Sequence, residues 1–297
     1  MTPFLGLSAF PLTPADDRGR VDVDALGRLL ERLCVAGVDS IGLLGSTGIY
    51  MYLTRDERRR AVEAAVRVVA GRAPLIVGAG ALRTDAACDL ARDAAEAGAD
   101  ALLVAPVSYT PLTETEAFEH FRAIAAATPL PVCIYNNPST THFTFGRGLL
   151  ERLSRIETIR AVKMPLPADG DFAGELSALR GRTALAVGYS GDWGAADALL
   201  AGADAWYSVV GGLMPRTALA LTRAAQAGDR DEVRRLDQRL RPLWDTFKAY
   251  GSLRVMYAVN ERLGLSDARP PKPILPLQGA DLDRVLAAFD AIRDLEA

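Results

Sequence analysis

The chain has 297 residues, 49% of them hydrophobic and 24% charged, which is enough apolar content to bury one barrel-sized core or two smaller ones. A net charge of −3 and a pI near 5.6 argue against nucleic acid or an anionic membrane as the main partner, and no apolar run reaches transmembrane length. Three cysteines (Cys34, Cys88, Cys133) stand in apolar contexts without metal-ligand spacing, so buried reduced thiols in a cytoplasmic protein are expected. Two histidines and no clustered carboxylates argue against a catalytic metal.

The apolar run at residues 4–10 has no basic flank before it and no small-residue cleavage site after it, so it reads as a first strand and not a signal peptide. Short apolar runs then alternate with longer amphipathic ones. Strands are expected over 5–9, 40–44, 75–77, 101–104, 132–135, 159–163, 184–187 and 205–209. Helices are expected over 23–36, 55–70, 85–97, 116–127, 145–153, 172–179, 192–201 and 215–227. Thr54-x-x-Glu57 and Thr113-x-x-Glu116 carry the pattern of a hydroxyl cap with a carboxylate reaching back. A recurring Ala-Gly-x-Asp at 36–39, 97–100 and 201–204 puts glycine at a helix end just before the next strand. Eight strand–helix units match a (β/α)8 TIM barrel over residues 1–227, with an open doubly wound sheet as the competing α/β architecture. Beyond Gly228 only helical patterns follow, at 230–248, 253–263 and 281–295, with a Pro-rich connector at 270–276. Residues 228–297 therefore read as a C-terminal helical extension.

In such a barrel chemistry belongs at the carboxyl ends of the strands. The sixth strand ends in Lys163, just before Met164-Pro165. The chain has three lysines against thirty-one arginines, and the other two, Lys248 and Lys272, lie in polar and Pro-rich surroundings that suit solvated side chains. Removing an amine from water disfavours its ammonium form, which is what a Schiff-base nucleophile requires; a lysine snorkelling from a strand end fits the same stretch. The second strand is followed by Gly45-Ser46-Thr47-Gly48, a turn able to present N–H groups and hydroxyls to a carboxylate or phosphate. The fifth ends in Tyr135-Asn136-Asn137-Pro138-Ser139-Thr140-Thr141, where the phenol either shuttles protons or bonds a nearby backbone group. An anion-holding loop, a phenol and an amine on strand ends two, five and six of one barrel can converge on one substrate and suit a 2-oxo acid. His120 reads as a surface residue of a helix, while His142 follows the fifth-strand loop and faces the substrate or turns away from it. Gly78-Ala79-Gly80 reads as a tight turn, lacking the rest of a dinucleotide fingerprint. Trp193, Trp206 and Tyr207 read as packing residues, with a place on the rim of the mouth as the alternative.

At these separations Gly45-Ser46-Thr47-Gly48, Tyr135-Asn136-x-Pro138 and Val162-Lys163 resemble the dihydrodipicolinate synthase and N-acetylneuraminate lyase family of Schiff-base aldolases, nearly end to end. The resemblance implies the barrel with its helical extension, a homotetramer built from two tight dimers, and no metal or organic cofactor. It implies Lys163 as the Schiff-base lysine, Tyr135 as the proton-relay tyrosine and Thr47 as the relay hydroxyl. Ser46 and Thr47 would hold the substrate carboxylate, and Tyr207 would place a backbone carbonyl near bound pyruvate.

Departures from the family pattern concern the second substrate. Thr140 stands where the synthase carries a carboxylate-binding arginine, His142 where it has glycine, and Ile49 where it has glutamate. Ser108, followed by Tyr109, replaces a tyrosine that reaches across the dimer. A hydroxyl cannot reproduce a bidentate guanidinium, worth a few kcal/mol as a charge-assisted pair. The expectation is a lyase acting on a pyruvate-type 2-oxo acid, by aldol cleavage or condensation or by dehydration of a keto-deoxy acid. Authentic 4-hydroxy-tetrahydrodipicolinate synthase is the alternative. Two other classes remain: a phosphate-binding barrel, to which the glycines at 188–191 and Gly211-Gly212 give partial support, and a barrel that only binds a metabolite.

Overall fold

The computed structural model describes residues 3–296. In chain order the barrel elements are β1 (Gly6–Ala9), α1 (Val23–Ala36), β2 (Ser40–Leu43), α2 (Arg55–Val69), β3 (Leu75–Gly78), α3 (Thr84–Ala97), β4 (Ala101–Val104) and α4 (Glu114–Ala126). There follow β5 (Val132–Tyr135), a short α5 (Pro138–Thr141), α6 (Arg147–Leu153), β6 (Ile159–Met164), α7 (Phe172–Arg180), β7 (Ala186–Tyr189), α8 (Ala195–Leu200), β8 (Ala205–Ser208) and α9 (Pro215–Gln226). The strands pair in parallel and in sequence order, and β8 closes on β1 through the register Gly6↔Ala205 to Ala9↔Ser208. The sheet is therefore a closed (β/α)8 barrel and not an open doubly wound sheet.

The recurring Ala-Gly-x-Asp has a double use. Gly37, Gly98 and Gly202 take left-handed backbone angles (φ 79, 95 and 92°) that end α1, α3 and the α8 turn. Each aspartate two residues on then accepts the backbone N–H of the neighbouring strand: Asp39 from Leu7 (2.7 Å), Asp100 from Leu75 (2.8 Å) and Asp204 from Val187 (2.8 Å). The same tetrapeptide thus ends a helix and fastens the amino end of β1, β3 or β7. Thr113 and Glu116 form a full capping box. Thr54 caps α2, but Glu57 bonds the Val21 N–H at 2.7 Å instead of reaching back.

Two apolar layers result. Alternation along the strands sends Ala101, Leu103, Cys133, Tyr135, Ala161, Ala205 and Tyr207 into one cluster with Phe4, Phe10 and Ile76. The opposite faces pack on the surrounding helices. Space inside is short: a Cβ at Gly42 would overlap the Phe10 ring, and one at Gly188 would stand 2.6 Å from Tyr207. Glycine at these inward positions is what lets the two rings fill the barrel.

After the barrel come α10 (Arg230–Tyr250), α11 (Ser252–Arg262) and α12 (Gly279–Asp290). The expected helix at 281–295 stops at Asp290, with a separate 3-10 turn at Arg293–Glu296, and the one expected at 192–201 begins as a 3-10 turn at Asp192–Gly194. Helix α10 packs against α8, α9 and that turn, which carries the extension to the carboxyl ends of the strands.

Candidate active site

Lys163 faces inward because it lies two residues beyond Ala161 on β6, and period-two alternation keeps both on one face. Its register partner on β5 is Tyr135 and on β7 is Gly188, so a phenol flanks the amine on one side, and on the other the Tyr207 ring takes the space that a side chain at 188 would fill. Lys163 is only 4% exposed. Its Nζ lies 4.2 Å from the ring centroids of both Phe10 and Tyr135 and 5.7 Å from that of Tyr207. Ring faces attract an ammonium and shed water from an amine. Among the described residues Lys163 enters no ion pair, whereas the exposed Lys248 and Lys272 lie 2.9 Å from Asp245 and 3.9 Å from Asp17.

The Tyr135 hydroxyl has two partners. Ser46 Oγ shares a hydrogen bond with it at 3.4 Å, and Asn137 Nδ2 donates to it at 3.0 Å. Ser46, and not Thr47, is the hydroxyl hydrogen-bonded to the phenol, in place of the contact expected for Thr47. The cause is local backbone: Leu44 (φ 57°) and Ile49 (φ 52°) are both left-handed, and the Ile49 N–H bonds Ser46 O at 3.2 Å, bending the loop so that Ser46 turns to Tyr135. A β-branched residue in that region is rare. Thr47 is buried but borders the same cavity, so Ser46 and Thr47 both face its floor.

That cavity, of about 590 Å³, opens at the carboxyl ends of the strands and is bordered by Lys163, Tyr135, Ser46, Thr47 and Thr140. His142 lies outside its lining; it is the exposed, left-handed residue (φ 55°) that ends α5, a backbone position that favours glycine. The Tyr207 side chain is fully buried beneath the amine, its hydroxyl 3.4 Å from Cys133 Sγ, and Val209 is the residue from the end of β8 that borders the cavity. Burial raises the Tyr207 phenol well above its ordinary range and pushes the Cys133 thiol up to about 12. Ser108 donates to the Thr110 carbonyl at 2.5 Å, and Tyr109 is 98% exposed. His120, read as a surface residue, is buried on the inner side of α4. It bonds Thr84 Oγ1 through Nδ1 at 2.9 Å, and burial lowers its pKa. A second depression, between α1 and the C-terminal helices and lined by Arg32, Arg216, Arg293 and Glu296, shares no residue with the lysine's surroundings.

Three participants escaped the sequence reading. Phe10 supplies one wall of the amine's cage, and nothing in its local pattern marks it apart from an ordinary core residue. Asn137 lies inside the quoted Tyr-Asn-x-Pro stretch without a role assigned to it. Asp192, in Ser190-Gly191-Asp192, accepts from Trp206 Nε1 (2.8 Å), Ser208 Oγ (3.0 Å) and the backbone N–H groups of Val209 (3.2 Å) and Val210 (3.3 Å). It thereby locks the β7 loop to the end of β8. Burial outweighs these four donors and pushes the Asp192 carboxyl up to about 6.

The model of the dihydrodipicolinate synthetase family matches residues 3–292. The chain is 36% identical over 278 residues to 4-hydroxy-tetrahydrodipicolinate synthase of Corynebacterium aurimucosum, covering 93% of this chain and 89% of that one. Among solved structures it resembles dihydrodipicolinate synthase from Agrobacterium tumefaciens, with 61% identity, a TM-score of 0.97 and coverage of 98% and 99% of the two chains. It also resembles a chloride-inhibited dihydrodipicolinate synthase from Acinetobacter baumannii complexed with pyruvate, with 28% identity, a TM-score of 0.89 and coverage of 97% and 98%. Barrel, strand-end amine and matches across almost the whole length agree: the chain belongs to the dihydrodipicolinate synthetase family and is a lyase.

Proposed function

We propose that this lyase acts on a pyruvate-type 2-oxo acid through an imine on Lys163, making or breaking a carbon–carbon bond or eliminating water from a keto-deoxy acid. The observation that carries the reading is the Lys163 amine, paired with no carboxylate among the described residues, held 4.2 Å from the ring of a phenol at the floor of an open cavity. The amine attacks the 2-oxo carbon, Tyr135 passes a proton to the departing oxygen, and water leaves. The protonated imine then withdraws electrons from the adjacent carbon, which loses a proton to give an enamine, so no metal or organic cofactor is needed. Ser46 replenishes the phenol's proton, and the loop N–H groups with the Ser46 and Thr47 hydroxyls hold the carboxylate. Tyr207 contributes its backbone carbonyl at the end of β8, with its side chain as packing beneath the amine.

4-Hydroxy-tetrahydrodipicolinate synthase activity is the second reading, favoured by the names of the relatives. Thr140 counts against it, since the cavity lining offers no arginine to a second carboxylate. Condensation of pyruvate with aspartate semialdehyde is accordingly expected to be negligible. We further assign residues 1–227 to the barrel and 228–297 to the extension, and propose a cytoplasmic homotetramer of two tight dimers. Exposed Met51, Tyr52, Leu82 and Tyr109, on the loops after the adjacent strands β2, β3 and β4, suit a subunit contact. Light scattering tests the assembly.

Exchange of the pyruvate methyl protons in deuterated water, followed by NMR, tests the chemistry without requiring the second substrate. Exchange that disappears in Lys163→Ala is expected; exchange that persists in that variant contradicts the role of the lysine.

A further inference from the structure

Beyond the floor that holds the amine, the cavity changes character. Its outer walls are Tyr52, Val107 and Trp193 from the strand-end loops and Phe247, Leu253 and Ile274 from the helical extension. Lys163 is the only lysine or arginine in the lining, and it is consumed once an imine forms. Asp192 is the only carboxylate, and its oxygens are committed to Trp206, Ser208, Val209 and Val210.

Four hydroxyl groups of the wall are committed too, those of Ser139, Thr140, Thr141 and Ser190, while those of Tyr50, Tyr52 and Ser252 stay free to donate. Ser139 donates to Asn137 Oδ1 (2.8 Å), Thr140 (3.4 Å) and Thr141 (2.9 Å) to the Asn137 carbonyl, and Ser190 to the Met164 carbonyl (3.2 Å). With their protons engaged, these four present lone pairs to the cavity. A carboxylate placed among them would lose its water and meet acceptors in return, which is the costly way to bury a charge. A polyhydroxylated chain would find free hydroxyl donors only at Tyr50, Tyr52 and Ser252, set among larger apolar surfaces. An aromatic or branched apolar group would find Trp193, 41% exposed at the mouth, together with Phe247, Leu253 and Ile274.

We infer that the part of the substrate beyond the 2-oxo acid is an uncharged, apolar aldehyde of aromatic size, or the matching substituent at C4 of a 4-hydroxy-2-oxo acid in the cleavage direction. This deepens the imine reading and rests on it. The imine of pyruvate loses a methyl proton to become the enamine. Its terminal carbon bonds to the aldehyde carbon, whose oxygen takes up a proton, and water cleaves the imine to free Lys163 and the 4-hydroxy-2-oxo acid. No oxidant or reductant enters.

The test offers the full-length protein pyruvate with benzaldehyde, aspartate semialdehyde or glyceraldehyde, monitoring methyl exchange of pyruvate in parallel. Benzaldehyde is expected to condense with a kcat/KM roughly tenfold or more above either polar aldehyde, the discrimination one apolar pocket typically supplies. Trp193→Ala should raise the KM for benzaldehyde severalfold, and Leu253→Arg should shift preference toward aspartate semialdehyde. If exchange proceeds but a polar aldehyde matches or exceeds benzaldehyde, or none of the three condenses, this inference is overturned while the imine reading stands. Loss of exchange itself would overturn both.

Discussion

Replacing Tyr135 with Phe removes one oxygen and keeps the ring that lies 4.2 Å from the Lys163 amine, so it separates proton transfer from packing. The oxygen has two partners, Ser46 at 3.4 Å and Asn137 at 3.0 Å. Both side chains border the cavity and regain water, so the stability cost should be that of ordinary hydrogen bonds, about 0.5–1.5 kcal/mol. The catalytic cost should be much larger. A positioned acid–base group contributes about 10²–10⁴ in rate, or about 2.7–5.5 kcal/mol of barrier at 1.36 kcal/mol per tenfold. Methyl-proton exchange of pyruvate measured beside thermal unfolding resolves the two. The expectation is exchange slowed by about 10² or more with a small loss of Tm, and a KM for pyruvate within a few-fold of the parent, since the carboxylate contacts lie elsewhere. Exchange within about threefold of the parent in Tyr135→Phe would refute the relay, because an uninvolved hydroxyl leaves the rate unchanged.

Other outcomes follow from the same geometry. Thr140→Arg restores a cation to the cavity wall and should raise condensation with aspartate semialdehyde by about 10–100-fold, the worth of one charge-assisted hydrogen-bonded pair; steady-state kinetics checks it. His142→Gly relieves a left-handed backbone position at an exposed residue and should stabilise the fold by up to about 1 kcal/mol in urea unfolding. For Asp192 the folded carboxyl is pushed up to about 6, above its unfolded value, so the folded state binds the extra proton and this group favours folding as pH falls through that window. The stability of the parent relative to Asp192→Asn should therefore fall as pH rises toward 6, by no more than about 1.4 kcal/mol per pH unit, and level off above it. Urea unfolding of both proteins across pH measures this, and a difference that is flat or rises with pH contradicts it.

The barrel was legible because its signals are local and repeated. Strand alternation and amphipathic helices mark the units, the Ala-Gly-x-Asp tetrapeptide marks three of their junctions, and eight units close a sheet. Boundaries moved where tertiary contacts outweighed pattern. The expected seventh strand at 184–187 lies at Ala186–Tyr189, because the Thr183 hydroxyl bonds the Leu179 carbonyl and the Leu185 N–H and holds that stretch as a turn. The helix expected at 145–153 starts at Arg147, since Phe145 packs edge-to-face with both Phe143 and Phe121 instead. His120 was readable as buried, for it shares the inner face of α4 with Ala117, Phe121 and Ile124.

At the site, the neighbouring positions of Lys163 and Tyr135 followed from two strand ends on adjacent strands. The exchange of Thr47 for Ser46 beside the phenol did not, because it depends on left-handed angles at Leu44 and Ile49 that no residue preference announces. Nor did the Asp192 clamp, whose four donors lie 14 to 18 residues further along the chain.

The most direct measurement is borohydride reduction in the presence of pyruvate, followed by peptide mapping by mass spectrometry. A reduced pyruvate adduct on the peptide carrying Lys163, absent without pyruvate, is the predicted result. An unmodified Lys163, or an adduct on Lys248 or Lys272 in its place, would contradict a mechanism built on the caged amine.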